Sequence, residues 1–264
     1  MPFTQVNDIK MYFEVHGEGE PLVFANGVFA NTLSWFNQTP VFSKKYKVIL
    51  YDMRGQGQSD HPEGRYSFEL HVEDQKALLD KLNIKNFHHV GISYGSEVGI
   101  YFTLKYPEMV NSLTICSGVT YLEPYLKYIS HLWRNTCSLA DPMLFFYSTV
   151  PFNFNPIYVN NNQEVFEQAK ERYKAFDYPA FIRLLDAFYE LNIKPEQLET
   201  ISTPCCIIVG EKDILKPPVP YSELMHKHLP NSKLHIIPES GHVVIWEKPT
   251  EFNSIILNFL KNQK

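Results

Sequence analysis

Six short runs of apolar residues constrain this chain more than any other feature: Leu22 to Ala25, Val48 to Tyr51, Phe87 to Val90, Leu113 to Cys116, Cys205 to Val209 and Leu234 to Ile237. Runs this short and this rich in apolar residues suit strands buried on both faces. Helical patterns separate them, so the expectation is an α/β fold, a mostly parallel, doubly wound sheet with helices on both sides. Ser67 can cap one such helix, in which Val72, Leu78, Leu79 and Leu82 recur at helical spacing. Pro249 suits the first turn of a last helix, whose Phe252, Ile255, Ile256, Phe259 and Leu260 return at intervals of three and four. Ahead of the first run, Lys10 to Val15 alternates after an Asn7-Asp8 turn, which predicts an N-terminal hairpin.

The rhythm stops between Val119 and Ile193. That stretch has no strand pattern, only helical segments broken by Pro124, Asp141-Pro142, Pro151, Asn155-Pro156 and Pro179. Residues 119–193 therefore read as an inserted helical module, with residues 1–118 and 194–264 forming the sheet domain. The insert holds 17 of the chain's 38 aromatic residues, about twice the density elsewhere. Its rings either fill the small core of a four-helix module or line an apolar pocket shared with the sheet.

A chain of 264 residues, 44% of them hydrophobic, can bury one large core. Its 24 basic and 29 acidic residues leave a net charge of -5, without the basic excess that a nucleic-acid backbone calls for. Four cysteines, two of them adjacent at Cys205 and Cys206, make neither a disulfide framework nor a zinc pair and read as reduced core residues. The opening MPFTQVNDIK lacks a charged and apolar leader, and no apolar stretch approaches the ~18 residues of a membrane span. The expectation is a cytoplasmic protein acting on a small molecule, with no nucleic-acid partner, no membrane span, no metal and no organic cofactor. A homodimer is compatible with it.

Chemistry enters at Gly91-Ile92-Ser93-Tyr94-Gly95, which follows one apolar run and precedes a helical stretch reaching Tyr106. This is G-x-S-x-G in strand-turn-helix context. The flanking glycines remove side chains that a sharp turn could not accommodate, and the helix beginning at Tyr94 aims its positive end at Ser93. A serine hydroxyl needs a base within hydrogen-bond reach and a carboxylate to orient that base. Both are offered where later runs end. Gly210-Glu211-Lys212-Asp213 follows one run and Glu239-Ser240-Gly241-His242 follows another. Ser93, Asp213 and His242 are the candidate catalytic residues, with Glu211 as the rival acid. His88, His89, His226, His228 and His235 sit in strand or surface-helix patterns and read as structural or solvated.

Acyl transfer also needs two N–H donors for the oxyanion. Tyr94, next after the nucleophile, supplies one. The second is expected from Asn26-Gly27-Val28-Phe29, where Gly27 lets the chain turn the Val28 amide toward the pocket. Asn26, Phe29, Trp133, Phe145 and Phe146 are the candidate substrate-binding residues.

With these residues placed, the chain resembles the α/β-hydrolase superfamily along almost its whole length, in particular the cap-bearing branch of carboxylesterases, enol-lactonases and C–C bond hydrolases. Asp52-Met53-Arg54-Gly55-Gln56-Gly57-Gln58-Ser59 matches the D-x-R-G-x-G-x-S segment of that branch, where it shapes a loop. The resemblance implies that residues 119–193 form a helical cap over the site. Many members carry His-Gly where this chain has Asn26-Gly27, a departure that leaves the oxyanion amide in place. Serine at position 93 disfavours the haloalkane dehalogenases and soluble epoxide hydrolases, which use aspartate there. The expected function is hydrolysis of a carboxylic ester, thioester or lactone with an apolar or aromatic acyl group. A C–C bond hydrolase or lyase on the same triad, and a non-catalytic binding or scaffolding homologue, are the alternatives.

Overall fold

A computed structural model of the chain describes residues 2–263. Its strands are β1 (Phe3–Val6), β2 (Ile9–His16), β3 (Glu20–Ala25), β4 (Tyr46–Tyr51), β5 (Phe87–Ile92), β6 (Val110–Cys116), β7 (Cys205–Gly210) and β8 (Ser232–Ile237). They form one sheet in the order β1-β2-β4-β3-β5-β6-β7-β8. β1 pairs with β2, and β2 with β4, in antiparallel register, while every other pairing is parallel. The parallel strands are the six apolar runs. The N-terminal hairpin turns at Asn7, whose φ of 46° is one that asparagine tolerates.

Helices α1 (Thr39–Phe42), α2 (Phe68–Lys81) and α3 (Tyr94–Lys105) lie between the earlier strands. α4 (Pro124–Ser138), α5 (Pro142–Asn153), α6 (Pro156–Asn161), α7 (Gln163–Tyr173), α8 (Tyr178–Tyr189) and α9 (Pro195–Glu199) fill the gap from β6 to β7. α10 (Glu223–His228), α11 (Val244–Glu247) and α12 (Pro249–Lys261) complete the chain. Alternation along each strand divides the core in two. Val23 and Ala25 of β3 face a cluster that includes Val72 of α2, Val98 of α3 and Met225 of α10. Leu22 and Phe24 face the other, with Phe42 of α1, Val244 of α11 and Phe252 and Ile256 of α12. Cys205 joins the first cluster and Cys206 the second. Both are free, as are buried Cys116 and Cys137. Ser67 caps α2 by accepting from the Leu70 amide.

The insert has five helices, α4 to α8, within residues 119–193 rather than four. The Asp-Pro and Asn-Pro pairs that read as breaks are helix starts: Asp141 and Asn155 accept from amides of the first turn, and each proline takes the first helical position. Pro151 is carried inside α5 instead of ending it. A single bridge, Tyr121 to Asn192, ties the two ends of the segment together.

The strand order decides where a ligand can sit. β3 lies between β4 and β5, so the connection leaving β3 runs to one side and the connection leaving β5 runs to the other, toward β6. Diverging loops open a crevice beyond the carboxyl ends of β3 and β5. The loop after β3 carries Val28, and the turn after β5 carries Ser93.

Candidate active site

Ser93 caps the N-terminus of α3 at φ 51°, ψ -119°, a strained conformation for a residue with a side chain. Glycines on either side permit the close approaches that the turn requires. A Cβ at Gly91 would strike the backbone of Gly95 and Ser96, and one at Gly95 would strike the backbone of Ala25 and Asn26. The Ser93 amide donates to the Cys116 carbonyl at 2.8 Å, and Ser96 Oγ donates to the Gly91 carbonyl at 2.8 Å, stitching the turn to β5 and β6. Phe29, Ser117 and Glu239, other strand-end residues, also have positive φ.

Asp213 follows β7 and His242 follows β8, both almost fully buried. His242 Nδ1 donates to Asp213 Oδ2 at 2.8 Å, since an ionised carboxylate only accepts. The other oxygen, Oδ1, accepts from the amides of Leu215 at 3.0 Å and Lys216 at 2.8 Å. Glu211 is turned elsewhere, its carboxylate accepting from the Glu239 amide. Ser117 Oγ donates to the His242 carbonyl at 3.1 Å. Glu247 accepts from the Gly241 amide at 2.8 Å, and burial pushes its carboxyl above the usual range. Ser93 Oγ is not bonded to His242; such bonds are often loose without substrate.

Tyr94 is the first residue of α3, so its amide has no partner within the helix. Gly27 sits against the Ser93 turn: a Cβ there would lie 3.5 Å from Ser93 Cβ. Val28, Ser93 and Tyr94 line one cavity together with Leu126 and Trp133 of α4, Leu185 and Phe188 of α8, and Leu215 and Lys216 after β7. Its volume is about 20 Å³, room for one or two waters at ~10–15 Å³ each.

Of the expected substrate-binding residues, Trp133 alone lines this cavity. Asn26 is fully engaged in the loop, its Nδ2 donating to the Tyr51 carbonyl at 2.9 Å and its Oδ1 accepting from Trp35 Nε1 at 2.7 Å. Phe29 lies behind the wall, its ring 5.8 Å from Trp133, 5.0 Å from Phe145 and 4.7 Å from Phe181. Phe145 therefore buttresses the loop. Phe146 belongs to a separate small cluster with Val150 and Phe166. The aromatic insert thus divides its rings between buttressing the sheet and filling a satellite core.

Glu97 and Lys216 carry a signal that sequence reasoning missed. Glu97 is one turn beyond Ser93 in an otherwise apolar stretch of α3, and Lys216 is three residues after Asp213. Both are buried and paired, Lys216 Nζ to Glu97 Oε1 at 2.9 Å. The same oxygen accepts from the Val119 amide at 2.8 Å. Desolvation raises the Glu97 carboxyl, although Lys216 opposes the shift. Their burial is decided by tertiary packing, so only an isolated charge in an apolar run could have drawn attention.

Asp52, Arg54 and His88 have structural partners. Asp52 accepts from the Thr32 and Gln58 amides at 2.8 Å each, and burial lifts its carboxyl to about 6. Arg54 pairs with Asp74 and Asp8. His88 bonds Ser112, while buried His71 and His89 have no side-chain hydrogen bond among the described residues and are pushed down to about 3 by desolvation. Among the described residues no helix is long and apolar enough to cross a membrane.

Comparison with known proteins agrees with the geometry. The α/β-hydrolase fold family profile matches residues 20–142. The crystal structure of MGS-M2, an α/β-hydrolase enzyme from a Medee basin deep-sea metagenome library, superposes with a TM-score of 0.93 at 29% identity, covering 98% of this chain and 97% of that one. 3-Oxoadipate enol-lactonase 2 of Acinetobacter baylyi is 26% identical over 96% of this chain and 94% of its own length. A protein of Azorhizobium caulinodans, provisionally named carbamate hydrolase RutD, is 24% identical over 98% of both. Strand order, profile match and end-to-end similarity converge on the α/β-hydrolase fold for this chain.

Proposed function

We propose that the protein is a serine hydrolase that cleaves a carboxylic ester, thioester or lactone with an apolar acyl group through an acyl-enzyme. Ser93 Oγ attacks the carbonyl carbon while His242 Nε2 takes its proton. Asp213 holds the imidazole in the tautomer with Nδ1–H and stabilises the imidazolium. The amides of Val28 and Tyr94 receive the oxyanion at the positive end of α3. His242 then returns the proton to the leaving group and activates a water, which releases the acid and restores Ser93.

The observation that carries this reading is the buried Asp213–His242 hydrogen bond of 2.8 Å, placed at the same sheet edge as a strained serine at a helix N-terminus. Structural serines need neither strain nor a neighbouring Asp–His pair. Residues 119–193 act as a cap in this reading, with α4 and α8 supplying the wall that excludes water. The names of the relatives, a lactonase and a provisional carbamate hydrolase, belong to the same class of acyl chemistry.

The test is covalent labelling by a fluorophosphonate, which reports an activated serine without requiring the natural substrate. Wild type is expected to label and Ser93→Ala to lose the label. Folded wild type that stays unlabelled would sink the proposal and favour a binding protein on the same fold.

A further inference from the structure

Lys216 is an odd component of an apolar wall. The hydrocarbon around it comes from Val28, Leu126, Trp133, Leu185, Phe188 and Leu215. An ammonium has three donors. One meets Glu97 Oε1 at 2.9 Å, and the Phe188 ring lies 4.8 Å from Nζ. No second acceptor for Nζ is found among the described residues, and the side chain is 3% exposed, so bulk water does not supply one.

Stability alone explains the pair poorly, because apolar residues of similar volume often replace a buried ion pair without loss. Glu97 has a clear effect on its partner: anchored by the Val119 amide, it fixes Nζ beside the cavity that contains Ser93. The carboxylate also balances the charge, so Lys216 can serve a neutral oxygen as well as an anionic one.

We propose that Lys216 is a specificity residue, donating a hydrogen bond to a second oxygen, keto or carboxylate, on the acyl chain whose ester or lactone carbonyl Ser93 attacks. This rests on the reading of Ser93 as nucleophile. A buried donor left unpaired penalises an analogue that lacks the oxygen, which is how polar pockets discriminate strongly.

The experiment compares kcat/KM for p-nitrophenyl pentanoate, p-nitrophenyl 4-oxopentanoate and the mono-p-nitrophenyl ester of glutaric acid, each corrected for uncatalysed hydrolysis. Wild type, Lys216→Met and the double variant Lys216→Met/Glu97→Gln are assayed, with fluorophosphonate labelling of Ser93 in the same samples. The double variant removes the pair as a unit, so no carboxylate is stranded if the single variant misfolds. Wild type is expected to prefer an oxygenated ester over the pentanoate, and both variants to lose that preference by about tenfold or more. The favoured ester tells a neutral partner from an anionic one. No preference in wild type, or an equal loss on all three esters, overturns the proposal and leaves Lys216 a strut between α3 and the loop after β7. An unlabelled wild type overturns the nucleophile reading with it, whereas labelled Ser93 with an unchanged preference overturns the Lys216 assignment alone.

Discussion

Ser93, Asp213 and His242 sit on loops just beyond β5, β7 and β8, whereas Leu126, Trp133, Leu185 and Phe188 come from two helices of the insert. The first group is held by backbone: the Ser93 amide on Cys116, Asp213 Oδ1 on two amides, the His242 carbonyl on Ser117. The second is held by rings, with Phe29 of the sheet domain meeting Trp133, Phe145 and Phe181. Backbone hydrogen bonds fix atoms to a few tenths of an ångström and tolerate little substitution. Ring packing fixes a volume and tolerates repacking. Precise placement therefore belongs to the strand ends, and adjustable shape to the insert.

The sharpest way to break this division is Ser93→Ala, expected to lower hydrolysis by about 10⁴-fold or more while leaving thermal unfolding intact. Activity persisting within tenfold would move the chemistry elsewhere. Asp213→Asn should follow at about 10⁴-fold, because an amide disfavours the productive imidazole tautomer. Glu211→Gln should stay within about twofold, and a reversal of these two would reassign the acid.

Stability against pH tests a strand residue outside the chemistry. Buried His89 has its pKa depressed from 6.5 to about 3. Below pH 6.5 the unfolded chain takes up a proton that the folded chain refuses, so stability present above that pH is lost progressively as pH falls toward 3. Between pH 7 and pH 5 this group costs about 2 kcal/mol. His89→Leu should shrink the difference in urea-unfolding free energy between those two pH values by that amount. An unchanged difference would mean the imidazole is not held neutral.

The smallest expected effect probes the insert. Trp133→Leu widens the cavity wall and should shift kcat/KM toward longer acyl chains by about tenfold. Phe146→Leu, in the satellite cluster, should cost about 1 kcal/mol of stability and leave chain preference alone. Equal shifts from both would show that the two aromatic clusters act as one.

Much of this was legible because local rules coincide with the global answer. The parallel strands appear as short, largely apolar runs, as expected where helices cover both faces of a sheet. Gly91 and Gly95 are readable because no other residue fits those close approaches. Asn26 was less legible: its position beside Gly27 suggested a substrate contact, yet its amide serves Tyr51 and Trp35 instead. Which side of a loop residue faces a cavity depends on strands distant in sequence.

By itself the sequence determined the strand periodicity, the helix starts at Ser67 and Pro249, the sharp turn at Ser93 and the chain order of serine, aspartate and histidine. Strand periodicity and helix starts follow from interactions within a few residues, and the turn and the residue order are carried by short motifs readable in place. Only the tertiary structure decided that Asp213 rather than Glu211 meets His242, that Trp133 rather than Phe146 reaches the cavity, and that Glu97 and Lys216 pair beside it. Those outcomes join segments up to 119 residues apart, where packing, and not local propensity, sets which polar groups lose water and must find each other.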